Sequence, residues 1–192
     1  SNDRGGSFVI ESYSSGFSGG GHPITRPKFV DCIFRDNAAG NSSSNNSSYG
    51  EGGAIYSGNA NPIFENCVFD SNYATSGGAI YLSGNPESVA YTPTYIRNSK
   101  FTDNSASDGG SNFASAQGGA LTIGSVRHII ISNSSFTNNS ATSLNSSARG
   151  GAIYIGSDWD PVNVDEVLIV NTRLSRNVAV SQSNGTANGG AI

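Results

Sequence analysis

The chain has 192 residues, enough for a real core, with a net charge of −4 and only 12% charged side chains, about half the usual fraction. It has no basic run and no apolar run of membrane-spanning length, which argues against a nucleic-acid binder and a spanning helix. Gly, Ser and Asn are abundant, but apolar residues recur at regular positions and confine disorder to the loops.

In chain order the first signal is Gly5-Gly6-Ser7-Phe8, a worn copy of a unit that recurs as Gly-Gly-Ala from Gly52, Gly77, Gly118, Gly150 and Gly189. Behind it come strand-like runs: Ile55-Tyr56, Ile80-Tyr81-Leu82, Leu121-Thr122-Ile123 and Ile153-Tyr154-Ile155. Alternation and β-branched or aromatic residues make these strands rather than helices. A second signature alternates with the first. Aligned on Phe34, Phe69, Phe101, Phe136 and Leu174, it carries Asn three positions on, at Asn37, Asn72, Asn104, Asn139 and Asn177. Two further on stands Ala39, Ala74, Ala106, Ala141 or Ala179. Two before the Phe is Cys32, Cys67, Ser99, Ser134 or Thr172, and three before it Asp31, Asn66, Asn98, Asn133 or Asn171. Five before it is apolar: Phe29, Phe64, Ile96, Ile131 or Ile169.

The Gly-Gly spacings are 47, 25, 41, 32 and 39 residues, and the scatter falls between the signatures rather than inside them. The shortest copy leaves a unit of 25 residues. A coil of that length, made of short strands and tight turns, predicts an all-β, right-handed parallel β-helix of about five coils with Ser/Asn/Gly-rich loop insertions. Residues 1–192 read as a single β-helix segment. Stacking identical positions about 4.8 Å apart turns each column into a ladder. Phe, Ile and Ala fill the interior, both Asn columns sit at bends where their side-chain amides bond the coils above and below, and Gly-Gly makes a sharp corner that needs positive φ or close backbone approach. Because the sequence starts and stops inside the repeat, it is expected to be a piece of a longer chain, or to stack end to end with copies of itself or flanking repeats.

The loops carry most of the Asn-x-Ser/Thr sequons. Asn41, Asn45, Asn46, Asn145 and Asn184 lie on one predicted edge, and Asn138 on an outward position. These six are candidate glycosylation sites if the chain follows a eukaryotic secretory route. Asn133, in a bend column, is expected to stay unmodified. Trp159, between Asp158 and Asp160, is a candidate contact residue for a sugar or protein, or it packs its loop onto the rod. Cys32 and Cys67 occupy one column on consecutive coils, so a disulfide fits, as do two small buried thiols.

At this point the residues resemble a family. Gly-Gly-Ala-Ile and Phe-x-x-Asn repeats are similar to those of the polymorphic outer membrane proteins of chlamydiae, and of other large surface proteins. The resemblance implies a β-helical passenger segment, extracellular or cell-surface exposure, and work as an adhesin, spacer or structural fibre. It does not imply an enzyme. The ligand it suggests is a host or matrix glycan or protein.

Parallel β-helices also host polysaccharide lyases and hydrolases, which need clustered carboxylates on one face. The outward residues Arg35, Asp36, Asp70, Asp103 and Arg176 are scattered over the coils and read as solvated charges. His22 and His128 have no ligand partner at metal spacing, and no cofactor is implied. The expectation is therefore a non-enzymatic surface rod, with a carbohydrate-binding or carbohydrate-cleaving β-helix as the alternative.

Overall fold

The computed structural model describes residues 3–11, 25–40, 50–84, 92–110, 114–156, 164–182 and 185–192. Every strand pairing in it is parallel, and the described residues include no helix. The strands stack as a β-solenoid of about four turns. Four sheets make its walls. The tyrosine sheet holds Phe8–Glu11, Ile55–Gly58, Ile80–Ser83, Leu121–Ser125 and Ile153–Ile155. The isoleucine sheet holds Lys28–Val30, Ile63–Glu65, Thr94–Arg97, His128–Ser132 and Glu166–Val170. The phenylalanine sheet holds Ile33–Arg35, Val68–Asp70, Lys100–Thr102, Ser135–Thr137 and Arg173–Ser175. The alanine sheet holds Tyr73–Ala74, Ser105–Ser107, Ser140–Ser143 and Val178–Ser181. A fifth column of two-residue strands leads into each glycine corner, including Ala116–Gln117, Ala148–Arg149 and Ala187–Asn188. Coils are numbered below by their member of the phenylalanine column, from Phe34 in the first to Leu174 in the fifth.

The register is the one the repeat predicts. Phe34, Phe69, Phe101, Phe136 and Leu174 are ladder partners. Their rings stack nearly parallel, with centroids 4.8, 4.6 and 4.4 Å apart down the column. Phe69, Phe101 and Phe136 are fully buried, as are Phe64, Ile96, Ile131 and Ile80 facing them across the tube. Ala106, Ala116, Ala141 and Ala148 form a second, smaller cluster where the alanine sheet meets the corner strands. Short side chains there let the backbones approach closely.

The glycine pair has two separate physical causes. The first glycine has positive φ in every copy, for example +70° at Gly52 and +63° at Gly77. The second has no room for a side chain: a Cβ on Gly78 would lie 2.0 Å from the carbonyl oxygen of Gly119 in the next coil. Adjacent corners are therefore in backbone contact.

The two asparagine columns prove to be different devices: the first makes a bend, and the amide bonding between coils expected of both belongs to the second alone. Asp31, Asn66, Asn98, Asn133 and Asn171 are exposed and left-handed, with φ between 48° and 55°, and turn the chain between the isoleucine and phenylalanine sheets. The next turn is made by another left-handed column, Asp36, Ser71, Asp103, Asn138 and Arg176. The asparagines that follow it point inward and form an amide ladder. Asn104 Nδ2 donates to Asn139 Oδ1 (2.9 Å) and to the carbonyl of Phe69 (3.0 Å). Its Oδ1 accepts from the backbone N–H of Asn72 (3.0 Å) and from Asn72 Nδ2 (2.9 Å). Asn72, Asn139 and Asn177 repeat the pattern. The ladder thus supplies partners to buried backbone groups that the turn would otherwise strand.

The Cys/Ser/Thr column closes the first turn in the same way. Ser99 Oγ donates to the carbonyl of Arg97 (2.8 Å) and accepts the backbone N–H of Cys67 (3.1 Å). Ser134 does the same between Ser132 and Ser99. The position needs a small side chain that both donates and accepts, which explains the residue types found there.

Candidate functional site

Among the described residues the interior is lined by the apolar core, and the charged side chains stand on the outer faces, the turns and the loops. On the isoleucine sheet the outward ladder runs Lys28, Ile63, Tyr95, Ile130, Leu168, beside Val30, Glu65, Arg97, Ser132, Val170. On the phenylalanine sheet it runs Ile33, Val68, Lys100, Ser135, Arg173, beside Arg35, Asp70, Thr102, Thr137, Ser175. Stacking places residues that are distant in sequence directly over one another. Arg35 Nε lies 2.8 Å from Asp70 Oδ2, and Lys28 Nζ 2.7 Å from Glu65 Oε2. The hydrogen bond from Lys28, then its charge, hold the Glu65 carboxyl below its usual range, with a smaller push from Arg97. Arg127 faces Asp165 at 4.0 Å and His128 faces Glu166 at 3.6 Å.

The sequence-predicted charges fall as follows. Arg35 and Asp70 are joined, while Asp36, Asp103 and Arg176 occupy the left-handed turn beyond the phenylalanine sheet. They share a column of the rod and stand on different coils. Among the described residues no group of three or more His, Cys, Asp or Glu side chains is placed to hold a metal.

Cys32 and Cys67 are vertical neighbours, each a free thiol. Cys67 is buried, and its Sγ donates weakly to the carbonyls of Glu65 (3.4 Å) and Phe29 (3.5 Å). Burial pushes its thiol above the ordinary range, with backbone hydrogen bonds opposing. Cys32 is half-exposed and donates to the carbonyl of Val30 (3.2 Å).

Among the sequon asparagines, Asn138 is exposed in its left-handed turn. Asn145 is exposed too, but its Nδ2 donates to the carbonyl of Gly110 at 2.7 Å, tying together two loops stacked on consecutive coils. Asp108 strengthens that stack: it is buried and accepts from Ser143 Oγ and from the backbone N–H of Leu144 and Gly110. The loops beyond the alanine sheet therefore continue the ladder for several residues in the third and fourth coils. Asn133 is exposed, whereas its neighbour Ser134 is buried in the hydroxyl column. Asn41, Asn45, Asn46, Asn184, Trp159 and His22 lie outside the described residues.

Sequence reasoning missed how the outward charges are distributed. Lys28, Arg35 and Arg127 each face a carboxylate. Arg97 instead lies over the Tyr95 ring, 3.8 Å from its centroid. Lys100 and Arg173 are exposed, and neither forms an ion pair with another described residue. The signal was available in the aligned repeat, because both occupy the position directly before the Phe column.

Comparison with known proteins bears on three stretches. Residues 31–58, 66–83 and 133–156 match the model of the Chlamydia polymorphic membrane protein (Chlamydia_PMP) repeat. Each stretch runs from the first turn through the phenylalanine column to a Gly-Gly-Ala corner and the strand behind it. No curated protein and no solved structure matches the chain significantly.

Proposed function

Since this chain carries the repeat of the chlamydial polymorphic membrane proteins, we propose that it is a segment of a cell-surface β-solenoid that projects binding faces away from the cell, as an adhesin or spacer. The observation that carries the reading is the use the sequence makes of its repeat. Every strictly repeated position is spent on the tube: the Phe stack, the amide ladder, the hydroxyl column and the Gly-Gly corner. What varies between copies lies outside, on the strand faces and in the loops. A fixed rod with variable outer positions suits display and suits a reaction centre less well. Three ion pairs, Lys28 with Glu65, Arg35 with Asp70 and Arg127 with Asp165, are spread over the face and engage carboxylates singly rather than gathering them.

The test is labelling of intact producing cells with an antibody against the folded segment, alongside adhesion of segment-coated beads to cultured host cells. Surface labelling with bead adhesion supports the adhesin reading, and labelling without adhesion leaves a spacer. Labelling that appears only after permeabilisation refutes both.

A further inference from the structure

Within a chain of net charge −4, one strip of the rod has the opposite sign. It straddles the turn between the isoleucine and phenylalanine sheets in the third, fourth and fifth coils. On one side of the turn the ladder runs Arg97, Ser132, Val170, and on the other Lys100, Ser135, Arg173. The turn itself is Asn98, Asn133 and Asn171, all exposed. Nine consecutive ladder positions thus hold three cations, five hydroxyl or amide side chains counting both serines and the three asparagines, one valine and no carboxylate. The neighbouring acids lie outside these nine positions. Glu65 is the ladder partner of Arg97 in the second coil, at the edge of the strip, and its carboxylate is held by Lys28. Asp103 is in the turn beyond its strand, Asp165 faces Arg127, and Glu166 lies in the fifth coil beside the His128 imidazole, at the opposite end of its strand from Val170.

We propose that this strip is a binding site for a linear sulfated polysaccharide lying along the rod. Lys100 and Arg173 are two rungs apart, roughly 10 Å at the spacing of stacked strands, with Ser135 between them. Two exposed cations so placed, with hydroxyl and amide groups between, match a chain that carries an anionic group on each repeat and hydroxyls in between. Arg97 supplies the third cation across the turn, held flat by Tyr95. Nucleic acid fits less well, since the one ring at the strip is already covered by that guanidinium and no free aromatic remains there for base stacking. The site deepens the surface-display reading, and it places recognition on a strand face instead of in the loops.

The experiment is chromatography of the purified chain on immobilised heparin with a salt gradient, which is independent of where a cell places the protein. Replacing Lys100 and Arg173 together by serine, the residue the same ladder carries at Ser135, should raise the dissociation constant about tenfold, what two exposed ion pairs contribute together. Lys100→Arg should elute with the parent, showing that charge and not the particular side chain is read. Arg149→Ser, which removes one cation from a different sheet, should leave elution unchanged. The proposal is overturned if the parent passes through heparin at physiological salt, or if Arg149→Ser shifts elution as far as the double variant. It is overturned equally if a single-stranded oligonucleotide or phosphatidylserine vesicles bind the strip more tightly than heparin does. Failure here with intact cell-surface labelling would remove the ligand and leave the rod.

Discussion

Replacing Asn104 by alanine removes a side chain that makes four hydrogen bonds in the interior of the coil. Asn139 Oδ1 keeps a partner, because the backbone N–H of residue 104 also donates to it at 3.0 Å. The Asn72 backbone N–H and one Asn72 Nδ2 proton lose theirs, and so does the Phe69 carbonyl on the Asn104 side. Asn72 and Asn104 are both essentially inaccessible to solvent. Two stranded buried donors at about 1–3 kcal/mol each put the loss near 4 kcal/mol, with the carbonyl adding to it. Asn98→Ala is the matched control. Asn98 is exposed and left-handed, so alanine there costs only backbone strain, about 1 kcal/mol. Urea unfolding followed by far-UV circular dichroism measures both. A large loss at Asn104 and a small one at Asn98 is expected. Equal losses would refute the distinction between an amide ladder and a turn.

Two further outcomes follow from the corner and the thiol column. Gly78→Ala should destabilise by about 3 kcal/mol, the upper end for overpacking, because both atoms its Cβ meets most closely are backbone oxygens. Gly109→Ala, in open space at positive φ, should cost about 1–2 kcal/mol in the same urea assay. Cys32 should react with iodoacetamide in the native protein while Cys67 stays protected until unfolding, since Cys67 is buried and its pKa is raised. The raised pKa means that folding favours the thiol over the thiolate. That contribution is complete below the unfolded thiol pKa and is lost as pH rises through the folded one. Mass spectrometry of the alkylated protein reads the order, and Cys67 reacting first would contradict the placement.

Much of the fold was legible because a solenoid repeats its physics. Each column of the alignment became one ladder, and the shortest copy, around Phe69, fixed the coil. The two asparagine columns were harder, since the same residue type serves a left-handed turn in one and an inward amide ladder in the other. Composition offered one clue: the turn column tolerates Asp31, and a carboxylate cannot donate to the coil above as the ladder requires. The paired glycines read as a corner needing positive φ or close backbone approach, and the stacked coils divide the two needs between the first and the second glycine. The basic strip was hidden for the same reason. Arg97, Lys100 and Arg173 look like scattered solvated charges until the register brings the third and fifth coils to either side of Ser132 and Ser135. Residues in the inserted loops, Trp159 among them, belong to no ladder and so gain nothing from the repeat argument.

The central claim is that residues one repeat apart are stacked neighbours. Spin labels at Thr102 and Thr137 test it, because both side chains face outward and the two positions pair directly. The background would carry Cys32→Ser and Cys67→Ser, the residue that Ser99 and Ser134 supply in later coils. The account predicts strong dipolar broadening in the continuous-wave spectrum of the double-labelled chain, as for labels roughly 5 Å apart at the backbone. A spectrum equal to the sum of the two single-labelled spectra would contradict it.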